Sequence, residues 1–142
     1  MAMATEAMVR QMTTEETQAV MDRYLSGEHA TEGVLADDVV FTVMATGQSF
    51  EGPEAVGGML TYFYHGVFEA VAEQTNLVIG AGRAIGEWDF VGTHVGEFAG
   101  VAGTGRHVRV PLAVAYDLEA GRITRGRVYL EIPAFLAQVG AA

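Results

Sequence analysis

The stretch Val108-Arg109-Val110-Pro111-Leu112-Ala113-Val114-Ala115-Tyr116 decides the fold. Its period is two. Val108, Val110, Leu112, Val114 and Tyr116 share one face, and Pro111, Ala113 and Ala115 share the other. Neither central face is polar, so both should be covered. Helices can cover one of them. The simplest cover for the other is a second copy of the chain, a twofold homodimer through the outer face of a sheet.

The same period runs on both sides of that strand. Four strands are expected, at 69–79, 83–98, 106–118 and 123–131. Gly80-Ala81-Gly82, residues 99–105 and Glu119-Ala120-Gly121 connect them. Short links between long strands predict an antiparallel meander. Gly86, Gly92 and Gly96 lie inside one strand, where glycine marks a bend or a close backbone approach.

Upstream, the period is helical. Thr13 and Glu16 form a capping box ahead of Thr17, Val20, Met21, Tyr24 and Leu25, and Gly27 is a stop. A short second helix is expected at 30–35 and a strand at 39–44. Thr46-Gly47 turns into a partner strand at 48–51. Pro53 opens a helix whose broad apolar face carries Val56, Met59, Leu60, Phe63, Tyr64 and Val67. Pro133 opens a last short segment with Phe135, Leu136 and Val139. Helices followed by a bent antiparallel sheet make an α+β domain. A sheet curled around a helix is a cone with a pocket at its open end. Residues 1–12 read as a flexible lead and 13–142 as one domain.

Composition excludes much chemistry. The chain has 142 residues, no cysteine and no lysine. Disulfides, thiolate nucleophiles, cysteine zinc sites and Schiff-base lysines are out. Eighteen acidic side chains oppose eight arginines, a formal net charge of −10, so nucleic acid and anionic membrane are not expected partners. No stretch reaches the length of a membrane span, and the first dozen residues lack a signal pattern; a cytoplasmic address is the expectation. No H-x-H or H-E-x-x-H occurs, so no metal site is expected. Gly80-Ala81-Gly82 lacks the context of a dinucleotide loop, and neither serine, Ser26 or Ser49, sits in a nucleophile elbow.

Gly92-Thr93-His94-Val95-Gly96-Glu97-Phe98, Gly103-Thr104-Gly105-Arg106-His107-Val108 and the tail Arg127-Val128-Tyr129-Leu130-Glu131 with Phe135-Leu136-Ala137-Gln138-Val139-Gly140 resemble the SnoaL-like polyketide cyclase family of the NTF2-like superfamily. The resemblance runs from about residue 13 to 140. It implies the NTF2-like (cystatin-like) cone and a small hydrophobic ligand. It also implies acid/base chemistry without metal or organic cofactor, as in the ring-closing aldol step of aromatic polyketides. The family's acidic residue near the end of the last strand corresponds to Glu131, one methylene longer than the usual Asp. Arg125-Gly126-Arg127 stand where the family often has Trp or His.

Glu131 is therefore the first catalytic candidate. On alternation it shares a face with Arg127 and Tyr129. Desolvated, it would exchange protons near neutrality; paired with Arg127, it would be structural. His94 and His107, the two strand histidines, are candidate proton relays, against core or strand-end roles. Asp89 is a further candidate base, Glu87 a weaker one, and Asp37-Asp38 read as a turn. Tyr24, Phe41, Met59, Phe63, Tyr64, Trp88 and Tyr129 are candidate ligand-binding residues, favouring a flat apolar molecule. Tyr24, Tyr64 and Thr42 are the hydroxyls that could polarise a bound carbonyl. The functions left open are a carbonyl-directed cyclase, isomerase or dehydratase and a non-catalytic binding protein of the same fold.

Overall fold

The computed structural model describes residues 11–27 and 29–141. Helix α1 (Thr14–Tyr24) starts at the capping box. The Glu16 N–H donates to Thr13 Oγ1 at 3.1 Å, and the Thr13 N–H donates to Glu16 Oε1 at 2.8 Å. Thr17, Val20, Met21 and Tyr24 are its buried face. Thr17 Oγ1 also accepts the Gly82 N–H at 2.9 Å, which ties the helix to the sheet. Of the expected lead, residues 1–10 lie outside the described residues. Met12 is buried in the core, and Gln11 Nε2 donates to Ala81 O at 3.0 Å.

Residues 30–35 do not form a helix. The N–H groups of Val34 and Leu35 both reach Thr31 O at 3.3 Å, a single turn. Gly33 then takes a φ of +73°, and the buried Val34 and Leu35 lead into strand β1 (Leu35–Val43). Strand β2 (Gln48–Glu51) returns antiparallel to β1. Helix α2 (Pro53–Thr61) follows, with Pro53 in its first turn. The helical run does continue to residue 67, but as a wider π-helical segment, Tyr62–Val67.

Strands β3 (Phe68–Gly80), β4 (Arg83–His94), β5 (His107–Glu119) and β6 (Arg122–Leu130) form the expected antiparallel meander, and helix α3 (Ile132–Gln138) closes the chain. Strand β4 stops at His94 rather than at 98. The N–H groups of Val95 and Gly96 both donate to Val67 O, at 2.8 and 2.9 Å, and this fork turns the chain out of the ladder. The order is β2-β1-β6-β5-β4-β3. β1 pairs with β6 in parallel, the one parallel junction among the described residues of an open, mixed sheet. A parallel neighbour needs a long crossover, here α2 and the whole meander.

The inner face of the bent sheet packs against α1, α2 and α3. One buried cluster joins α1 to Phe41, Trp88, Val114 and Tyr116, and a second joins α3 to Phe68, Phe90, Val108 and Val110. Two glycines let large rings lie flat on this face. A Cβ at Gly86 would fall 2.0 Å from the Trp88 ring, and one at Gly126 would fall 2.7 Å from the Phe41 ring. Both rings are thereby free to lean over the strands toward the cone's interior.

Candidate active site

Between α1, the α2–π segment and the inner face lies an apolar cavity of about 70 Å³. Its walls come from every layer. β4 and β5 supply Trp88, Phe90, Leu112, Val114 and Tyr116, and β6 supplies Val128 and Leu130. β1 supplies Phe41 and Val43, and α2 supplies Met59 and Leu60. The π segment places the consecutive residues Phe63 and Tyr64 on the same cavity.

Polar groups enter this apolar space along one chain of rings. The Tyr116 and Tyr24 rings are 5.8 Å apart, Tyr24 and His29 5.0 Å, His29 and Tyr64 5.3 Å, and Tyr64 and Phe90 4.9 Å. Burial pushes the Tyr64 phenol up to about 12. It raises Tyr24 and Tyr116 as well, and in both the neighbouring phenols add to the effect, so the three hydroxyls sit within electrostatic reach of one another. All three are neutral O–H groups at any ordinary pH. A cluster of neutral donors in an apolar cavity can hold a carbonyl oxygen or an enolate without carrying charge of its own.

The structure brings together six of the expected ligand-binding residues: Tyr24, Phe41, Met59, Phe63, Tyr64 and Trp88 all line the cavity. Tyr129 does not. Val128 and Leu130 face inward, so alternation puts Tyr129 on the outer face, 47% exposed. The same register corrects the expected catalytic set. Glu131 is exposed at the start of α3, where its N–H donates to Pro111 O at 3.1 Å. Arg127 engages Asp117 instead, through two hydrogen bonds of 3.0 and 3.1 Å. Those bonds, against some desolvation, hold the Asp117 carboxyl below its usual range.

Asp89 is also on the outer face, bonded at 2.9 Å to Arg109, which reaches Glu73 at 3.0 Å. His107 is exposed at the first position of β5. His94 points inward and is fully buried, but it lies among Phe68 and Phe135 and outside the cavity lining. Its Nδ1 accepts the Thr104 N–H at 3.3 Å and lies 3.0 Å from Thr104 Oγ1. Thr42 pairs with Ser49 at 2.9 Å, away from the cavity. Among the described residues no group of three or more His, Asp or Glu side chains could hold a metal ion.

Two polar lining residues escaped the sequence reading. Tyr116 sits on the inner face that the alternation of β5 identifies, two positions beyond Val114. His29 follows α1 in a left-handed backbone, φ 72°, and no periodicity points to it.

A curled sheet closed by helices around an apolar cavity defines the class, a cone-shaped α+β pocket protein. The profile of the SnoaL-like polyketide cyclase family matches residues 15–139, and the chain belongs to that family. The fold is similar to that of a SnoaL-like polyketide cyclase candidate from Jannaschia sp. CCS1, at 16% identity over 92% of this chain and 95% of that one, with a TM-score of 0.76. It is similar to TsrD from Streptomyces laurentii, at 19% identity over 90% and 97% of the two chains and a TM-score of 0.73. A protein of ketosteroid isomerase-like fold from Catenulispora acidiphila DSM 44928, solved with trimethylamine, gives 17% identity, 89% and 95% coverage and a TM-score of 0.70. These likenesses establish the NTF2-like fold. No curated protein matches the chain. No helix among the described residues is long and apolar enough to cross a membrane.

Proposed function

We propose that the chain is a cofactor-independent enzyme acting on a small, hydrophobic carbonyl compound held in the cone. The observation that carries this reading is that Tyr24, Tyr64 and Tyr116 line one cavity whose other walls, His29 apart, are apolar. Their role is to hold the carbonyl oxygen and the negative charge that develops on it. Cyclase, isomerase and dehydratase chemistry all pass through such a stabilised oxyanion. A non-catalytic carrier of the same molecule is the second reading, favoured because no carboxylate lines the cavity among the described residues.

Size bounds the ligand. At about 10–15 Å³ per water-sized position, the cavity holds roughly five to seven such positions. One six-membered ring with a carbonyl fits that space. Trp88 is the only tryptophan and lines the cavity, so its fluorescence reports occupancy. Titration with cyclohexanone is expected to give a saturable change, lost when Val114→Phe fills the cavity. A linear, unsaturable response from the folded wild-type protein would overturn the pocket reading.

We also propose that a second copy of the chain covers the outer face of the sheet. Val71, Val78, Ile85 and Tyr129 are exposed there, around the small Pro111, Ala113 and Ala115. On this acidic chain that face is nearly balanced in charge: Arg83, Arg109, Arg125 and Arg127 stand among Glu69, Glu73, Glu87, Asp89 and Asp117. Light scattering at micromolar concentration is expected to give twice the chain mass. Ile85→Glu, at a position 53% exposed in the single chain, is expected to give the chain mass with the fold intact. A wild-type monomer would refute the pairing.

A further inference from the structure

We propose that His29 is the catalytic base of this cavity, taking a proton from the carbon next to the bound carbonyl and exchanging it with solvent. The inference rests on the pocket reading above and adds the residue that moves the proton.

Three observations carry it. First, the tyrosines can donate hydrogen bonds, but burial drives all three away from ionisation, so none is a base. His29 is the only His, Asp or Glu lining the cavity among the described residues. Imidazole is the side chain suited to accept and return a proton near neutrality.

Second, His29 lies between Tyr24 and Tyr64, with ring centroids at 5.0 and 5.3 Å. The imidazole is thus in ring contact with both phenols, close enough to reach the carbon next to a carbonyl that they hold. That is the arrangement enolisation requires.

Third, His29 and Tyr64 line not only the cavity but also two grooves that open to the surface. One groove runs past Thr31 and His65, the other past Gly27 and Gln74. The imidazole therefore stands where the apolar cavity meets two surface grooves. A base there can take a proton on one side and lose it on the other.

The step balances. The electron pair of the C–H bond becomes the new C=C π bond. The C=O π pair moves onto oxygen, where the tyrosine O–H groups hold it. The proton passes to the imidazole and from there to water, and a solvent proton returns to the carbon.

The experiment follows the α-hydrogen signals of cyclohexanone by proton NMR in D₂O, with Trp88 fluorescence measuring binding in parallel. The wild type is expected to speed exchange well above buffer. His29→Asn keeps a residue that tolerates positive φ and is expected to lower the exchange rate by about 10²–10⁴ with affinity nearly unchanged. His29→Gly removes the ring at no backbone cost, and added imidazole is expected to restore part of the rate. Wild-type exchange in both variants would overturn the assignment to His29 while leaving the pocket reading intact. Absence of saturable cyclohexanone binding by the wild type would overturn the pocket reading, and the assignment with it. Binding by the wild type with exchange no faster than buffer would refute His29 as a base and favour the carrier.

Discussion

Replacing Tyr24, Tyr64 and Tyr116 together by Phe is expected to abolish measurable carbonyl exchange while leaving the protein folded. Each hydroxyl that holds the developing oxyanion should contribute about 10²–10³ in rate, because a fixed donor in an apolar cavity needs no reorganisation as the charge develops. Each substitution keeps the ring, so the chain of ring contacts from Tyr116 to Phe90 survives. Stability should stay near that of the wild type, because each substitution keeps the ring and its packing and removes a single oxygen. The check is the exchange rate beside the thermal midpoint. An unchanged rate at an unchanged midpoint would mean that the phenols serve only as wall, and the carrier reading would take over. Tyr116→Phe alone separates that hydroxyl from the two whose rings touch His29.

How far the sequence carries the fold depends on periodicity. The inner face of β5 can be read residue by residue, because five apolar positions alternate without a break from Val108 to Tyr116. The apolar wall follows from it, since Tyr24, Phe41, Met59, Phe63, Tyr64 and Trp88 all lie on buried faces of periodic elements. The parallel pairing of β1 with β6 could not be read that way. Alternation tells which face is buried and is silent about the neighbouring strand's direction. Glu131 failed for a different reason. Family likeness supplied its chemistry, but β6 ends at Leu130, and Glu131 stands exposed at the N-cap of α3, outside the cavity lining. His29 was invisible because a single left-handed residue between elements carries no pattern at all.

His94 tests the difference between a buried histidine and a working one. Its ring is wholly enclosed, edge-on to Phe135 at 4.9 Å and tilted on Phe68 at 5.7 Å. Nδ1 accepts the Thr104 N–H, so a neutral ring carries its proton on Nε2, which is buried without a hydrogen-bond partner among the described residues. That orphaned N–H is a cost, offset by the ring's packing and by the latch it makes on residues 103–106, where the Arg106 N–H in turn donates to Thr104 Oγ1 at 3.2 Å. His94→Ala empties a ring-sized space in the core and is expected to cost about 3 kcal/mol or more. For a chain of this length that lowers the thermal midpoint by roughly 10 °C. His94→Leu refills most of the space and removes the orphaned N–H, and the exposed Thr104 can turn its freed groups to water. It is expected to lie within about 1 kcal/mol of the wild type. Neither variant should change the exchange chemistry of the protein that remains folded, because Phe90 lines the cavity and His94 does not. Thermal denaturation and the exchange assay on the same preparations decide it: a stable His94→Leu protein that loses activity by 10² or more would move His94 into the reaction and displace His29 from it.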